Sequence, residues 1–119
     1  MIVKRISSTA LHKLINGKTV GPQTCIIKFY SSSCPLCHNL QEYFENIASE
    51  YEDIHFFAFN IADEPNIEKR LKFTGVPSIC MVKTRPPKYQ ISIIEDPENP
   101  HKKTWFRVSD IKAFIERNK

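Results

Sequence analysis

Thr24-Cys25-Ile26-Ile27-Lys28-Phe29-Tyr30-Ser31-Ser32-Ser33-Cys34-Pro35-Leu36-Cys37 is the stretch on which the fold turns. Its first half is β-branched and aromatic, the composition of a strand, and Ser31-Ser32-Ser33 reads as a turn. Helical periodicity starts at the second cysteine. Cys37, Leu40, Phe44, Ile47, Ala48 and Tyr51 recur on one helical face, while Gln41, Glu42, Glu45 and Ser49 take the wet side. A thiol at a helix start meets unpaired backbone N–H groups and the positive end of the helix dipole, so its thiolate is favoured. A second thiol three residues on can close a disulfide with it, which makes a reversible two-electron centre.

Outward from that stretch the chain alternates between strand and helix patterns. Residues 2–6 read as a short strand, and Ser8 or Thr9 can cap a helix to about residue 16, with Leu11, Leu14 and Ile15 inward and Gly17 as its stop. The strand at 25–30 is apolar enough to be central. A helix over 34–51 and a strand over 54–61 follow. Asp63-Glu64-Pro65 opens a short helix with Ile67 and Leu71 inward and Gly75 as its end. Strands are predicted over 76–82 and 89–94, a loop over 96–103, and a final helix over 108–118 capped by Ser109, with Ile111, Phe114 and Ile115 inward. The order is β-α-β-α-β-α-β-β-α, an α/β architecture with helices on both faces of one sheet.

Length and composition set the remaining bounds. The 119 residues, 41% hydrophobic, are read as one domain over 1–119, able to bury roughly two thirds of its unfolded surface. Seventeen Lys and Arg against 13 Asp and Glu leave a net charge of +4 that is spread along the chain, the pattern of a solvated surface. Met1-Ile2-Val3-Lys4-Arg5-Ile6 lacks the apolar core of a signal peptide, and no apolar run approaches the roughly 18 residues of a membrane span. The expectation is therefore a cytoplasmic protein that does not contact a membrane. Four cysteines in such a chain argue for a reducing compartment and against a disulfide framework.

Phe29-Tyr30-Ser31-Ser32-Ser33-Cys34-Pro35-Leu36-Cys37 resembles the strand, active site and helix passage of the thioredoxin superfamily. Asn60-Ile61 with Pro65, and then Phe73-Thr74-Gly75-Val76-Pro77-Ser78, resemble its downstream half. The likeness covers residues 1 to about 83 and returns at the C-terminal helix. It implies the thioredoxin fold, a central mixed β-sheet of about five strands flanked by about four helices. It also implies roles. Cys34 would be the attacking thiol, and Cys37 the more buried resolving thiol. Pro77 would be a cis-proline packed against the pair, and Val76 would offer main-chain hydrogen bonds to an extended substrate peptide. The implied activity is reduction of protein disulfides, without a cofactor or metal, by a monomer recharged by a thioredoxin reductase or by glutathione.

Several residues depart from that family's pattern. Ser33 stands where thioredoxins commonly carry an aromatic residue before the first cysteine. Pro35-Leu36 places proline first, as glutaredoxins do, whereas thioredoxins have Gly-Pro; these two residues tune the redox potential. The long β-α lead before Cys25 favours the thioredoxin branch. Lys28 occupies the position of a buried Asp, and Ala58 that of the lysine which often accompanies it. A buried ammonium is costly, so Lys28 either sends its tip to solvent or has a depressed pKa. In the second case it would lie beneath the cysteines and favour thiolate.

Other readings stand beside these. A glutathione-coupled oxidoreductase is the enzymatic alternative, and a thioredoxin-fold binding subunit with incidental redox activity the non-enzymatic one. Cys34-Pro35-Leu36-Cys37-His38 also matches the c-type haem attachment sequence, but strands surround it and no export signal precedes it. His38 is either a surface residue or a modulator of Cys34. Zinc would need about four ligands, and Cys25, Cys80, His12, His55 and His101 form no second tight pair. Cys25 and Cys80 are expected as buried, inert thiols on neighbouring strands. Trp105 is expected to pack the C-terminal helix, with partner docking as the alternative. The 83–103 segment reads as the least family-like part, a basic Arg85-Pro86-Pro87-Lys88 turn and a long loop. Its cations lack interleaved aromatics, so nucleic acid is not expected as a partner.

Overall fold

The computed structural model describes residues 2–119. In chain order the elements are β1 (Lys4–Arg5), α1 (Ser8–Ile15), β2 (Gln23–Tyr30), α2 (Pro35–Ala48), β3 (His55–Asn60), α3 (Ile67–Leu71), β4 (Ser78–Arg85), β5 (Lys88–Ile93) and α4 (Val108–Asn118). The strands form one five-stranded mixed sheet in the order β1-β3-β2-β4-β5. This is the thioredoxin fold, with four helices on its faces. β2 is central because residues 25–29 are all buried, as an apolar run with neighbours on both sides must be. It runs parallel to β3 and antiparallel to β4, with Lys28 opposite Ala58 on one side and Ile79 on the other.

Side chains alternate across β2 and so divide the core in two. Ile26 joins Leu40, Phe44 and Ile47 of α2 and Ile111, Phe114 and Ile115 of α4 on one face. Cys25, Ile27 and Phe29 join Leu11, Leu14 and Ile15 of α1 and Ile67 and Leu71 of α3 on the other. Phe29 anchors that second face, 4.7 Å from the Phe73 ring centroid and 6.1 Å from that of Phe59. Full burial of each such aliphatic or aromatic side chain stabilises the fold by about 1.5–3 kcal/mol.

Local details differ from the sequence expectations where a side chain found a better partner. Ser7 rather than Ser8 or Thr9 caps α1, its Oγ accepting from Ala10 N at 3.1 Å, while Ser8 Oγ donates to Glu64 Oε1 at 2.8 Å. The helix predicted over 34–51 is shorter. It ends at Ala48, beyond which Glu50 N and Tyr51 N bond back only three residues, to Ile47 O and Ala48 O. Tyr51 still packs on the core from outside the helix and donates its hydroxyl to Glu116 at 3.0 Å. The stretch after β3 splits into a 3₁₀ turn at Ile61–Asp63, capped by Asn60, and the five-residue α3. Lys72, in the left-handed region at φ 62°, ends α3 before Gly75, which at φ 78° turns the chain into Val76.

At the C-terminal end, the Asp110 carboxylate accepts the Arg107 N–H at 2.8 Å and closes the start of α4, with Ser109 inside the helix rather than capping it. The basic Pro86-Pro87 turn joins two paired strands, Thr84 opposite Tyr89 and Arg85 opposite Lys88, so the strand expected over 89–94 is present as β5, and β4 extends beyond the expected residue 82 to Arg85. Trp105 packs against the α4 side of the core and donates its indole N–H to Asp96 at 3.0 Å, tying down the loop before α4.

Candidate active site

Cys34 is the residue on which α2 begins. Its backbone is extended (φ −101°, ψ 103°), Pro35 takes the first helical position where no N–H is missed, and Cys34 Sγ accepts the Cys37 N–H at 3.0 Å. The sulfur thus occupies the position of a capping oxygen, where the helix dipole and an aligned N–H both favour negative charge. Cys37 lies one turn on, 3% exposed, and is disulfide-bonded to the half-buried Cys34 with 5.3 Å between their Cα atoms. Pro35 is exposed and Leu36 half-buried beside the pair.

The sheet register brings a second segment to this point. Phe29, near the end of β2, pairs with Ser78 at the start of β4, so the residues just before β4 sit beside the turn that follows β2. Val76 and the buried Pro77 are joined by a cis peptide bond, and the Val76 carbonyl oxygen lies 3.7 Å from Cys34 Sγ across 42 residues of sequence. Half-buried Val76 places main-chain polar groups next to the sulfur that faces outward. On the opposite side of the turn, Asn60 Nδ2 donates to Ser32 Oγ at 3.2 Å and fixes the loop to β3.

Beneath the pair lies a cavity of about 320 Å³, bounded by both cysteines, Lys28, Phe44, Glu45 and Arg5 among others. Lys28 is 4% exposed, and its Nζ sits 5.2 Å from the centroid of the Phe44 ring. The side chain is covered along its length, and its tip opens into this cavity. Burial pulls the ammonium pKa from 10.5 down to about 8, opposed in part by the Glu45 carboxylate. Glu45, expected on the wet side of α2, is half-buried and accepts the Val3 N–H at 3.1 Å. His38 is exposed at the rim of the cavity.

The other two thiols lie on the far face of the sheet. Cys25 and Cys80 are both fully buried on adjacent strands, Cys25 opposite Val82 and Cys80 opposite Ile27. Burial pushes the Cys25 thiol up to about 11; it raises Cys80 further, with the nearby Cys25 adding to the effect. Among the described residues, no group of three or more His, Cys, Asp or Glu side chains is arranged to hold a metal ion, and no helix is long and apolar enough to cross a membrane.

A mixed sheet with a disulfide at the N-terminus of the helix that follows its central strand, facing a Val-Pro segment, defines a dithiol–disulfide redox domain. The family model for thioredoxin matches residues 4–100, and the chain belongs to the thioredoxin family. That match runs past residue 83 and takes in the β4–β5 hairpin, consistent with the pairing seen there. Solved structures share the fold over nearly the whole length. Chloroplastic thioredoxin z is 17% identical at a TM-score of 0.67, over 98% of this chain and 94% of that one. Mitochondrial thioredoxin 3 of Saccharomyces cerevisiae, in its oxidised form, is 19% identical at 0.66 over the same shares. Trichomonas vaginalis thioredoxin is 22% identical at 0.66, over 99% and 97%. Family membership together with the Cys34–Cys37 pair supports thiol–disulfide oxidoreductase chemistry.

Proposed function

We propose that this chain reduces disulfides in protein substrates. In its dithiol form, Cys34 thiolate attacks one sulfur of a substrate disulfide, and the other substrate sulfur leaves as thiolate. Cys37 then attacks Cys34 Sγ, the mixed disulfide breaks, and the second substrate sulfur leaves as Cys34–Cys37 forms. Two electrons pass from the dithiol to the substrate.

The observation that carries this reading is the Cys37 N–H aimed at Cys34 Sγ at the head of α2. That hydrogen bond favours Cys34 as thiolate and as leaving group, while burial of Cys37 directs attack to Cys34. Val76 and Pro77 are the proposed platform for an extended substrate backbone beside the nucleophile, and Pro35 and Leu36 its apolar rim. Electrons return from a reductase or from glutathione.

Insulin-disulfide reduction tests the reading, with NADPH and thioredoxin reductase or with glutathione as donor. Turnover with either donor supports it and identifies the source of electrons. A chain that reduces no insulin with any donor, even after dithiothreitol has opened Cys34–Cys37, is a binding module instead.

A further inference from the structure

Lys28 is a buried cation in search of a partner. It projects from β2 onto the face covered by α2 and opens into the cavity that both redox cysteines bound. Among the described residues, Nζ makes no hydrogen bond and forms no ion pair within 4.0 Å, and it lies over the Phe44 ring. Several charged or titratable groups share the cavity. Glu45 and, at the rim, His38 come from α2, Arg5 from β1 and Tyr30 from β2 itself, whereas β3 contributes only Ala58. Glu45 is already bonded to the N-terminal backbone, and Arg5 repels a second cation. A buried ammonium with no ion-pair contact is costly, and among the described residues lining the cavity the groups that gain negative charge on reduction are the two sulfurs.

We propose that Lys28 is a positioning residue whose ammonium pairs with the Cys37 thiolate once the disulfide is reduced. The proposal rests on the dithiol chemistry above and adds a second charge to it, since the helix N-terminus serves Cys34 and the lysine serves Cys37. Reduction by a dithiol donor delivers two electrons to the Cys34–Cys37 bond: Cys37 leaves the broken bond as thiolate, the donor closes its own disulfide, and the donor's two protons pass to solvent. In the mixed disulfide, the electron pair of the Cys37 thiolate forms the bond to Cys34 Sγ. The bond from Cys34 to substrate sulfur breaks, and the departing thiolate takes a proton from water. Lys28 raises the fraction of Cys37 ready for that attack. It also stabilises the reduced form over the disulfide, making the centre more oxidising. Although burial lowers its pKa to about 8, Lys28 still carries its charge at pH 7.

Linkage makes the test independent of any substrate. A lysine that favours the Cys37 thiolate must itself be favoured as ammonium by that thiolate. NMR titration of Lys28 in the chain as isolated and after dithiothreitol reduction is expected to show its pKa higher by about one unit when reduced. In Lys28→Met, Cys37 is expected to titrate about one unit higher, and the mixed disulfide to persist about tenfold longer at pH 7. Equal Lys28 pKa values in the two redox states, or an unchanged Cys37 titration in Lys28→Met, overturn the proposal. Should Lys28→Met fail to fold, the wild-type comparison still decides. A wild-type chain inert toward insulin would refute the function above while leaving these titrations readable.

Discussion

Two pairs of cysteines on one sheet sit in opposite surroundings. Cys34 and Cys37 lie at the start of α2, where a backbone N–H at 3.0 Å and a cavity holding a lysine favour negative sulfur. Cys25 and Cys80 lie inside the α1 and α3 face, fully buried among Ile27, Phe29 and Val82, where the cost of burying a charge outweighs the backbone hydrogen bond from Ile27 that favours ionised Cys80. The thiol is the same; its surroundings set the pKa. One face of the sheet therefore carries the Cys34–Cys37 disulfide beside a cavity, and the other encloses two thiols in apolar packing.

The largest effect should come from breaking the reactive pair. Cys34→Ser is expected to reduce insulin turnover by about 10³-fold or more while leaving the fold intact, and native labelling of the reduced wild type with iodoacetamide should modify Cys34 first. Labelling of Cys25 or Cys80 at a comparable rate in the folded chain would erase the contrast.

A second experiment asks whether the α2 face bears a real charge. In the oxidised chain, Lys28 titrates near 8 when folded and at its ordinary 10.5 when unfolded. Below about pH 8 both states hold the proton and the folded state carries the full cost of burial. Between those values the unfolded chain binds more protons, so stability rises with pH. Urea unfolding at pH 7 and pH 10 should show wild type gaining roughly 2–3 kcal/mol relative to Lys28→Met. Parallel pH profiles for the two proteins would mean that the lysine reaches water.

Placing a polar group among the inert thiols probes the other face. Cys80→Ser puts a hydroxyl into a fully buried site and is expected to cost about 1–3 kcal/mol of stability with insulin reduction unchanged. A loss of turnover at unchanged stability would assign Cys80 to the chemistry after all.

The smallest effect concerns the edge of that same face, where His12 Nε2 meets Glu64 Oε1 at 2.6 Å and ties α1 to the segment before α3. Hydrogen bonds from His12 and Ser8 hold the Glu64 carboxyl below its ordinary 4.5. Its contribution is thus present above that value and lost as pH falls through the lower folded pKa. His12→Ala should cost about 0.5 kcal/mol at pH 6, with the difference from wild type shrinking in acid thermal melts.

Much of this molecule could be read from the chain. The run of residues 108–118 formed the helix its spacing predicts, and the apolar stripe from Cys37 to Ala48 packs as expected. Thr24 to Tyr30 lie in the central strand. Other features were illegible because they depend on competition between near-equal local choices. Ser7 and Ser8 are chemically identical caps until Glu64 engages one of them. The strand expected over 89–94 formed as β5, but its pairing with β4 across the Pro86-Pro87 turn depends on the sheet. Glu45 looks like any solvated acid until the backbone at Val3 comes to lie against α2.

Periodicity and spacing are properties of short segments, so the alternation of elements, the inward faces and the paired thiols at a helix start followed from the amino acids alone. Distances between residues far apart in sequence, and the depth at which a charge sits, depend on how whole elements stack. The meeting of Val76 with Cys34 required the antiparallel register of β4 on β2. The burial of Lys28 required α2 to lie across the strand that carries it, because only packing between elements covers the stem of a long cationic side chain.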